Sequence, residues 1–212
     1  CFAKASQATL SPPGRGVYQR PPRRYNAGMA DEIEAKVRVS DEAAALRAIG
    51  AAGAVPRGEW LEADAFFDHP DARLRQGDSA LRLRRRQALD DVARQRLASG
   101  TAAVLTYKGP RQPGRMKVRE EIEVAVPDPE AMVAILLRLG YRQTFAYEKR
   151  RRTWRLEGAE VTLDEVPRLG RFVEVEAATE AEVDRLLDRL GFAGVERLTS
   201  SYLAMLAALG DP

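Results

Sequence analysis

Three Glu-x-Glu pairs, Glu32/Glu34, Glu121/Glu123 and Glu174/Glu176, constrain the fold of this chain more than any other feature. In an extended strand residues i and i+2 face the same way, so each pair aims two carboxylates at one face. The alternate positions are apolar: Ile33, Ala35, Val37 and Val39 in the first copy, Ile122 and Val124 in the second, Val173 and Val175 in the third. Each segment therefore reads as a strand with one apolar and one acidic face. Lys36 and Arg38 extend the acidic row of the first, and Lys117 and Arg119 that of the second. Mixed rows of this kind suit a site that holds metal and phosphate together.

Residues 60–68, 79–86, 102–109, 143–155 and 160–166 alternate in the same way, for example Leu81/Leu83 against Arg82/Arg84 and Val161/Leu163 against Thr162/Asp164. With the acidic strands they make about eight, and the short connections between most of them favour antiparallel pairing. An open sheet with helices on its apolar side would leave the charges to plain solvent. A sheet closed into a barrel collects them in a polar tunnel. The expected fold is α+β, a closed eight-stranded antiparallel β-barrel with helices packed outside, because acid and base share one parity on so many strands.

Helix signals come after each acidic strand. Ser40 is the expected cap of a helix from Asp41 to about Ala51. Asp128 with Pro129 opens a second, which runs through Met132, Ile135 and Leu136 and stops at Gly140. Thr179 with Glu182 makes a capping box for a third, which stops at Gly191. A short amphipathic helix is expected over residues 199–209. Residues 87–101 separate two strands by more than a hairpin needs; they read as a mobile segment at the tunnel mouth or as a surface insertion with a partial helix.

The net charge of +3 would suggest an anionic partner such as nucleic acid, were it spread over the whole chain. Residues 1–28 hold five of the 34 basic residues and none of the 31 acidic ones, so the remainder carries 29 basic and 31 acidic residues, a net of −2. That balance gives no broad nucleic-acid-binding surface. The Pro- and Gly-rich stretch 1–28 is expected to be a disordered basic extension upstream of a start at Met29, leaving residues 29–212 as one domain. No apolar run approaches the roughly 20 residues needed to cross a bilayer, and a cytoplasmic protein is expected. A dimer formed through the outer helices or the barrel wall is compatible with the sequence. Cys1 and His69 are the single cysteine and histidine. His69 lies in the turn-like Asp68-His69-Pro70-Asp71 and reads as a surface residue. Ser-His and Cys-His chemistry thus has almost no candidates, and carboxylates, Lys, Arg, Tyr or metal must do the work.

Lys36, Arg82, Arg84, Lys108, Lys117, Arg119, Lys149 and Arg151 share the inward parity. Burying several of them without anions is prohibitive, so an anionic ligand is expected to neutralise them alongside the glutamates. Arg forks and Lys point charges suit phosphate. Glu32, Glu34, Glu121, Glu123, Asp164, Glu174 and Glu176 can hold Mg²⁺ or Mn²⁺, hard cations that take oxygen ligands.

Glu32-Ile33-Glu34-Ala35-Lys36 resembles the N-terminal signature of the CYTH superfamily, the triphosphate tunnel metalloenzymes. The succession of motifs after it is similar too: Asp64-x-Phe66-Phe67-Asp68, Leu81-Arg82-Leu83-Arg84, Leu105-Thr106-Tyr107-Lys108-Gly109-Pro110, Arg119-x-Glu121-x-Glu123, Lys149-x-Arg151, Leu163-Asp164, Leu169-Gly170-x-Phe172-x-Glu174-x-Glu176 and Ser201-Tyr202. The Thr-Tyr-Lys-Gly-Pro and Leu-Gly-x-Phe-x-Glu-x-Glu stretches look most like the class IV adenylyl cyclase branch.

The resemblance implies an eight-stranded tunnel that binds a triphosphate. Lys36, Arg82, Arg84, Lys108, Arg119, Lys149 and Arg151 would be its phosphate ligands, and Glu32, Glu34, Glu121, Glu123, Asp164, Glu174 and Glu176 would carry the Mg²⁺ or Mn²⁺. Catalysis would fall chiefly to Glu32, Glu34, Lys36, Lys108 and Lys149. The implied activity is either conversion of ATP to cyclic AMP and pyrophosphate, or hydrolysis of thiamine triphosphate, inorganic tripolyphosphate or a nucleoside triphosphate. A non-catalytic polyphosphate-binding module is the remaining alternative.

Overall fold

The computed structural model describes residues 31–98, 100, 102–113 and 117–210; the 1–28 segment and the side chains of Asp31, Glu32 and Lys117 lie outside that description. The strands are β1 (Asp31–Val39), β2 (Val55–Asp68), β3 (Ala80–Ala88), β4 (Ala103–Lys108), β5 (Lys117–Ala125), β6 (Arg142–Leu156), β7 (Ala159–Val166) and β8 (Gly170–Ala177). They close into a barrel in the order β1-β5-β4-β3-β2-β6-β7-β8, with every neighbouring pair antiparallel. The seam is β1, whose Ile33 pairs with Val118 of β5 on one side and Ala177 of β8 on the other. Closure removes the exposed edges that an open sheet of such strands would present.

The pleat then sorts the residues as their alternation predicts. Outward-facing Val37, Val161, Val173 and Val175 are buried beneath the helices α1 (Glu42–Ala51) and α5 (Glu180–Arg189), against Ile49, Val183, Leu186 and Leu187. On the other side α4 (Pro129–Arg138) sets Leu136 over Ala65, Phe67, Leu83 and Ala103. Each fully buried aliphatic side chain contributes about 1.5–3 kcal/mol. The apolar core therefore lies mostly between barrel and helices, which leaves the barrel interior to charged groups. A third cluster joins Val166, Leu169 and Phe172 to Tyr202 and Leu206 of α6 (Tyr202–Ala208), so this helix lies across the end at which β1 finishes and β8 begins.

Helix boundaries obey local chemistry, with two corrections. Asp41 caps α1 by accepting from the Ala44 N–H at 2.9 Å, in place of the expected Ser40. The carboxylate accepts more strongly than a hydroxyl there and complements the positive helix terminus. The last helix begins at Tyr202, capped by Ser201, a turn later than its apolar pattern suggests. Asp128 and Thr179 cap α4 and α5 as expected. Gly140 and Gly191 come just after these two helices at φ +89° and +84°, a left-handed conformation that side chains resist.

Residues 87–101 include a helix, α3 (Asp91–Ala98), started by Asp90 accepting from the Ala93 N–H. Its fully buried Ala93 sits on Gly58 of β2, where an added Cβ would come within 2.9 Å of the Ala93 backbone. Gly58 is thus the seat that lets α3 dock on the barrel wall. The remaining short helix, α2 (Arg73–Gln76), is held by Asp68, whose carboxylate accepts from the N–H groups of His69, Leu74 and Arg75. His69 is half-buried, its ring 4.1 Å from that of Tyr141, which gives it a packing role.

Candidate active site

The barrel encloses a cavity of about 680 Å³, and Lys36, Arg82, Arg84, Lys108, Arg119, Lys149 and Arg151 all line it. Glu34, Glu121, Glu123, Glu174 and Glu176 line it as well. Strand register brings acid and base into contact: Lys36 pairs with Glu174, Lys108 with Glu121, and Arg151 with Asp164. Glu32 stands opposite Arg119 in the β1–β5 register.

The cations differ in how far their donors are committed. Lys36 Nζ lies 3.1 Å from Glu174, donates to the Ser200 carbonyl at 3.2 Å and sits 3.9 Å from the centre of the Tyr202 ring. The C-terminal helix and its preceding turn therefore hold this lysine from below. Lys108 bonds Glu121, and Arg151 bonds both Asp164 and Glu174. Arg119 directs its guanidinium to backbone, donating Nε to the Gly109 carbonyl and Nη2 to the Asp78 carbonyl, both at 2.8 Å. Burial pushes its pKa down. Arg82 is held more loosely, 3.2 Å from Thr106 Oγ1, 3.6 Å from Glu123 and 3.9 Å from Asp64. Asp164 does not line the cavity; fully buried, it lies 2.8 Å from Lys149 Nζ and takes Arg151 in a two-pronged grip at 2.6 and 2.5 Å.

Two acidic residues at the centre of this network are absent from the sequence-derived set. Glu62 and Asp64 of β2 are 0% and 1% exposed, and together they enclose Arg84. The alternation of Trp60, Glu62, Asp64 and Phe66 is visible in the chain and places both on the inward parity. Arg86, Arg155 and Glu160 also line the cavity and are likewise absent from that set. Burial alone would raise the Asp64 pKa, but Arg84 and Arg82 overcome it and hold the carboxyl well below its ordinary value of 3.8. The folded protein therefore keeps Asp64 ionised at pH values where the unfolded chain binds a proton, and stability is lost as pH falls below about 4. Urea unfolding measured between pH 4 and 2.5 should show a slope shallower by about 1.4 kcal/mol per pH unit in Asp64→Asn than in the parent chain.

Toward the opposite end from α6, Glu34 pairs with Glu176 and Glu176 with Glu160, so three carboxylates stand in one row across β1, β8 and β7. All three line the cavity. Like charges directly opposite one another on adjacent strands are destabilising, and a hard divalent cation with oxygen ligands suits such a row. Among the described residues no group of three or more His, Cys, Asp or Glu side chains is arranged to hold a metal ion alone. The donor chemistry fits Mg²⁺ or Mn²⁺ that draws further ligands from substrate oxygens and water. A second, mostly apolar cavity of about 580 Å³ adjoins the first, sharing Phe66, Ala80, Arg119, Ser201 and Leu203 with it.

Among the described residues no helix is long and apolar enough to cross a membrane. The sequence profile of the CYTH domain matches residues 30–190. A Methanocaldococcus jannaschii protein named provisionally as an adenylate cyclase is 31% identical over 161 residues, which cover 75% of this chain and 85% of that protein. Adenylate cyclase CyaB of Aeromonas hydrophila is 29% identical over 181 residues, covering 81% of this chain and 86% of its own length. Among solved structures, a Hippeastrum protein named provisionally as an adenylyl cyclase and described as having a dominant triphosphatase activity superposes with a TM-score of 0.62 at 21% identity. The alignment covers 85% of this chain and 97% of that one, and the likeness is one of fold.

Proposed function

Because the chain belongs to the CYTH family, we propose that it is a divalent-metal-dependent enzyme acting on a triphosphate, most closely a class IV adenylyl cyclase that converts ATP to cyclic AMP and pyrophosphate. The observation that carries this reading is the enclosed cavity in which seven predicted phosphate-binding cations and a row of three carboxylates face one another. Names of relatives give the cyclase assignment its support, while fold alone does not fix a substrate.

In the proposed reaction the ribose 3′-hydroxyl gives up its proton to water as its oxygen attacks the α-phosphorus, the bond from that phosphorus to the bridging oxygen breaks, and pyrophosphate leaves. Arg82, Lys108 and Arg86 line the cavity toward β3 and β4 and orient the polyphosphate chain. Lys36, Lys149 and Arg151 form the basic floor above α6, where they meet the negative charge that grows on the leaving group. Glu34, Glu176 and Glu160 would hold the cation, with Glu32 carried by the same strand; when bound, it supplies Lewis-acid activation of the attacking oxygen and charge balance for the phosphates. The adjoining apolar cavity gives the uncharged part of an organic triphosphate somewhere to sit.

A triphosphatase reading uses the same cavity with water as nucleophile, and the Hippeastrum neighbour is the observation that favours it. Incubating the chain with ATP, tripolyphosphate and thiamine triphosphate, each with Mg²⁺ or Mn²⁺, separates the two. Cyclic AMP with stoichiometric pyrophosphate is the expected product from ATP. Orthophosphate release instead establishes the hydrolase, and tight binding without turnover leaves a polyphosphate-binding module.

A further inference from the structure

The seven cations assigned to phosphate are not equivalent, and the two buried acids of β2 divide them. Asp64 takes Arg84 Nε and Nη2 at 2.7 Å each, and Glu62 Oε2 lies 2.9 Å from Arg84 Nη1. Two nitrogens of this guanidinium are thus bonded to Asp64 and the third lies beside Glu62, although Arg84 lines the cavity. The same Glu62 accepts from Arg86 Nε at 2.8 Å and stands 3.5 Å from Lys149 Nζ and 3.8 Å from Arg151 Nε.

We propose that Glu62 and Asp64 are positioning residues, a buried pair of counter-charges that fixes Arg84 as a brace and, through Glu62, keeps Lys149 and Arg151 oriented toward the triphosphate. The inference rests on the triphosphate reading and assigns different work to residues that reading treats alike. Several cations gathered in a low-dielectric interior repel one another, and they keep one arrangement only where fixed carboxylates stand between them. Glu62 itself stays ionised, because Arg84, Lys149 and Arg151 together overcome the effect of burial. Its oxygens face these cations, and neither acid lines the cavity, so neither is placed to take a metal or a phosphate.

The two roles differ in the sign of one measurement. Removing a phosphate ligand, as in Arg82→Gln, weakens binding of the polyanion. Removing a counter-charge leaves the array more positive, so Glu62→Gln should bind tripolyphosphate about threefold or more tighter. The same change frees Lys149 and Arg151 from their fixed positions, and kcat should fall about tenfold or more while KM falls or holds. Calorimetric titration of the full chain with tripolyphosphate, beside kcat and KM for whichever triphosphate the chain turns over, reads both effects. A parent chain that binds no triphosphate overturns the functional reading and this inference together. Parent binding with Glu62→Gln weakened, or unchanged in both affinity and kcat, overturns the inference alone. Should Glu62→Gln not fold, Asp64→Asn keeps the Arg84 contact to Glu62 and is judged by the same titration and the same signs.

Discussion

Glu34→Gln is expected to reduce metal-dependent turnover by about a hundredfold or more while leaving the fold intact. Glu34 is half-buried, lines the cavity and stands opposite Glu176 on the neighbouring strand. The substitution keeps shape and removes one negative charge from the row proposed to hold the cation. Because it empties no apolar core, thermal stability should move by only about 0.5 kcal/mol. A kcat measured against Mg²⁺ or Mn²⁺ concentration should recover in part at high metal, as expected when a ligand is weakened. Unchanged turnover and unchanged metal dependence would remove the Glu34–Glu176–Glu160 row from the proposal.

Asp164→Ala is expected to do the opposite, acting first on stability. Asp164 is fully buried and is shared by Lys149 and Arg151. Taking away one carboxylate leaves two interior cations with fewer counter-charges, and breaking a buried ion pair in this way costs about 3–5 kcal/mol. Burial lowers the proton affinity of Lys149, and Arg151 adds to that, so loss of Asp164 favours its neutral form further. Denaturant unfolding at neutral pH gives the loss directly. Wild-type stability in this variant would mean that water in the cavity, not Asp164, solvates the two cations.

The barrel was legible because alternation with period two survives on strand after strand. Val173 and Val175 read as one face and Glu174 and Glu176 as the other, and both faces are where that parity puts them. The enclosure of the charges was legible for the same reason. What the chain did not display was which charge meets which. Asp64 and Arg84 are twenty residues apart and meet only through the β2–β3 register, which also sets Glu62 against Arg86. Glu62 was within reach of the parity argument, since it shares a face with Asp64. Glu62-Ala63-Asp64 is not a Glu-x-Glu pair, however, and so lacks the mark that distinguishes the other three acidic strands. The donors of Arg119 end on backbone carbonyls, and no side-chain pattern encodes such a partner. Ser40 and Asp41 are both good caps, and only the backbone conformation selects between them.

The seam strand carries a consequence for how the molecule comes into being. β1 is the first strand of the barrel to leave the ribosome, yet the strand that completes its pairing is the last, with Ile33 waiting for Ala177. Contacts between residues so distant in sequence make for slow folding and for partly assembled states with unpaired edges. Until β8 is synthesised, Lys36 has no Glu174 and the cavity has no wall on that side. A nascent chain stopped before Gly170 therefore holds all seven predicted phosphate-binding residues without a closed barrel around them. Translation through residue 177 supplies the last strand of the barrel, and the cavity lining is complete only when Ser201, Tyr202 and Leu203 follow.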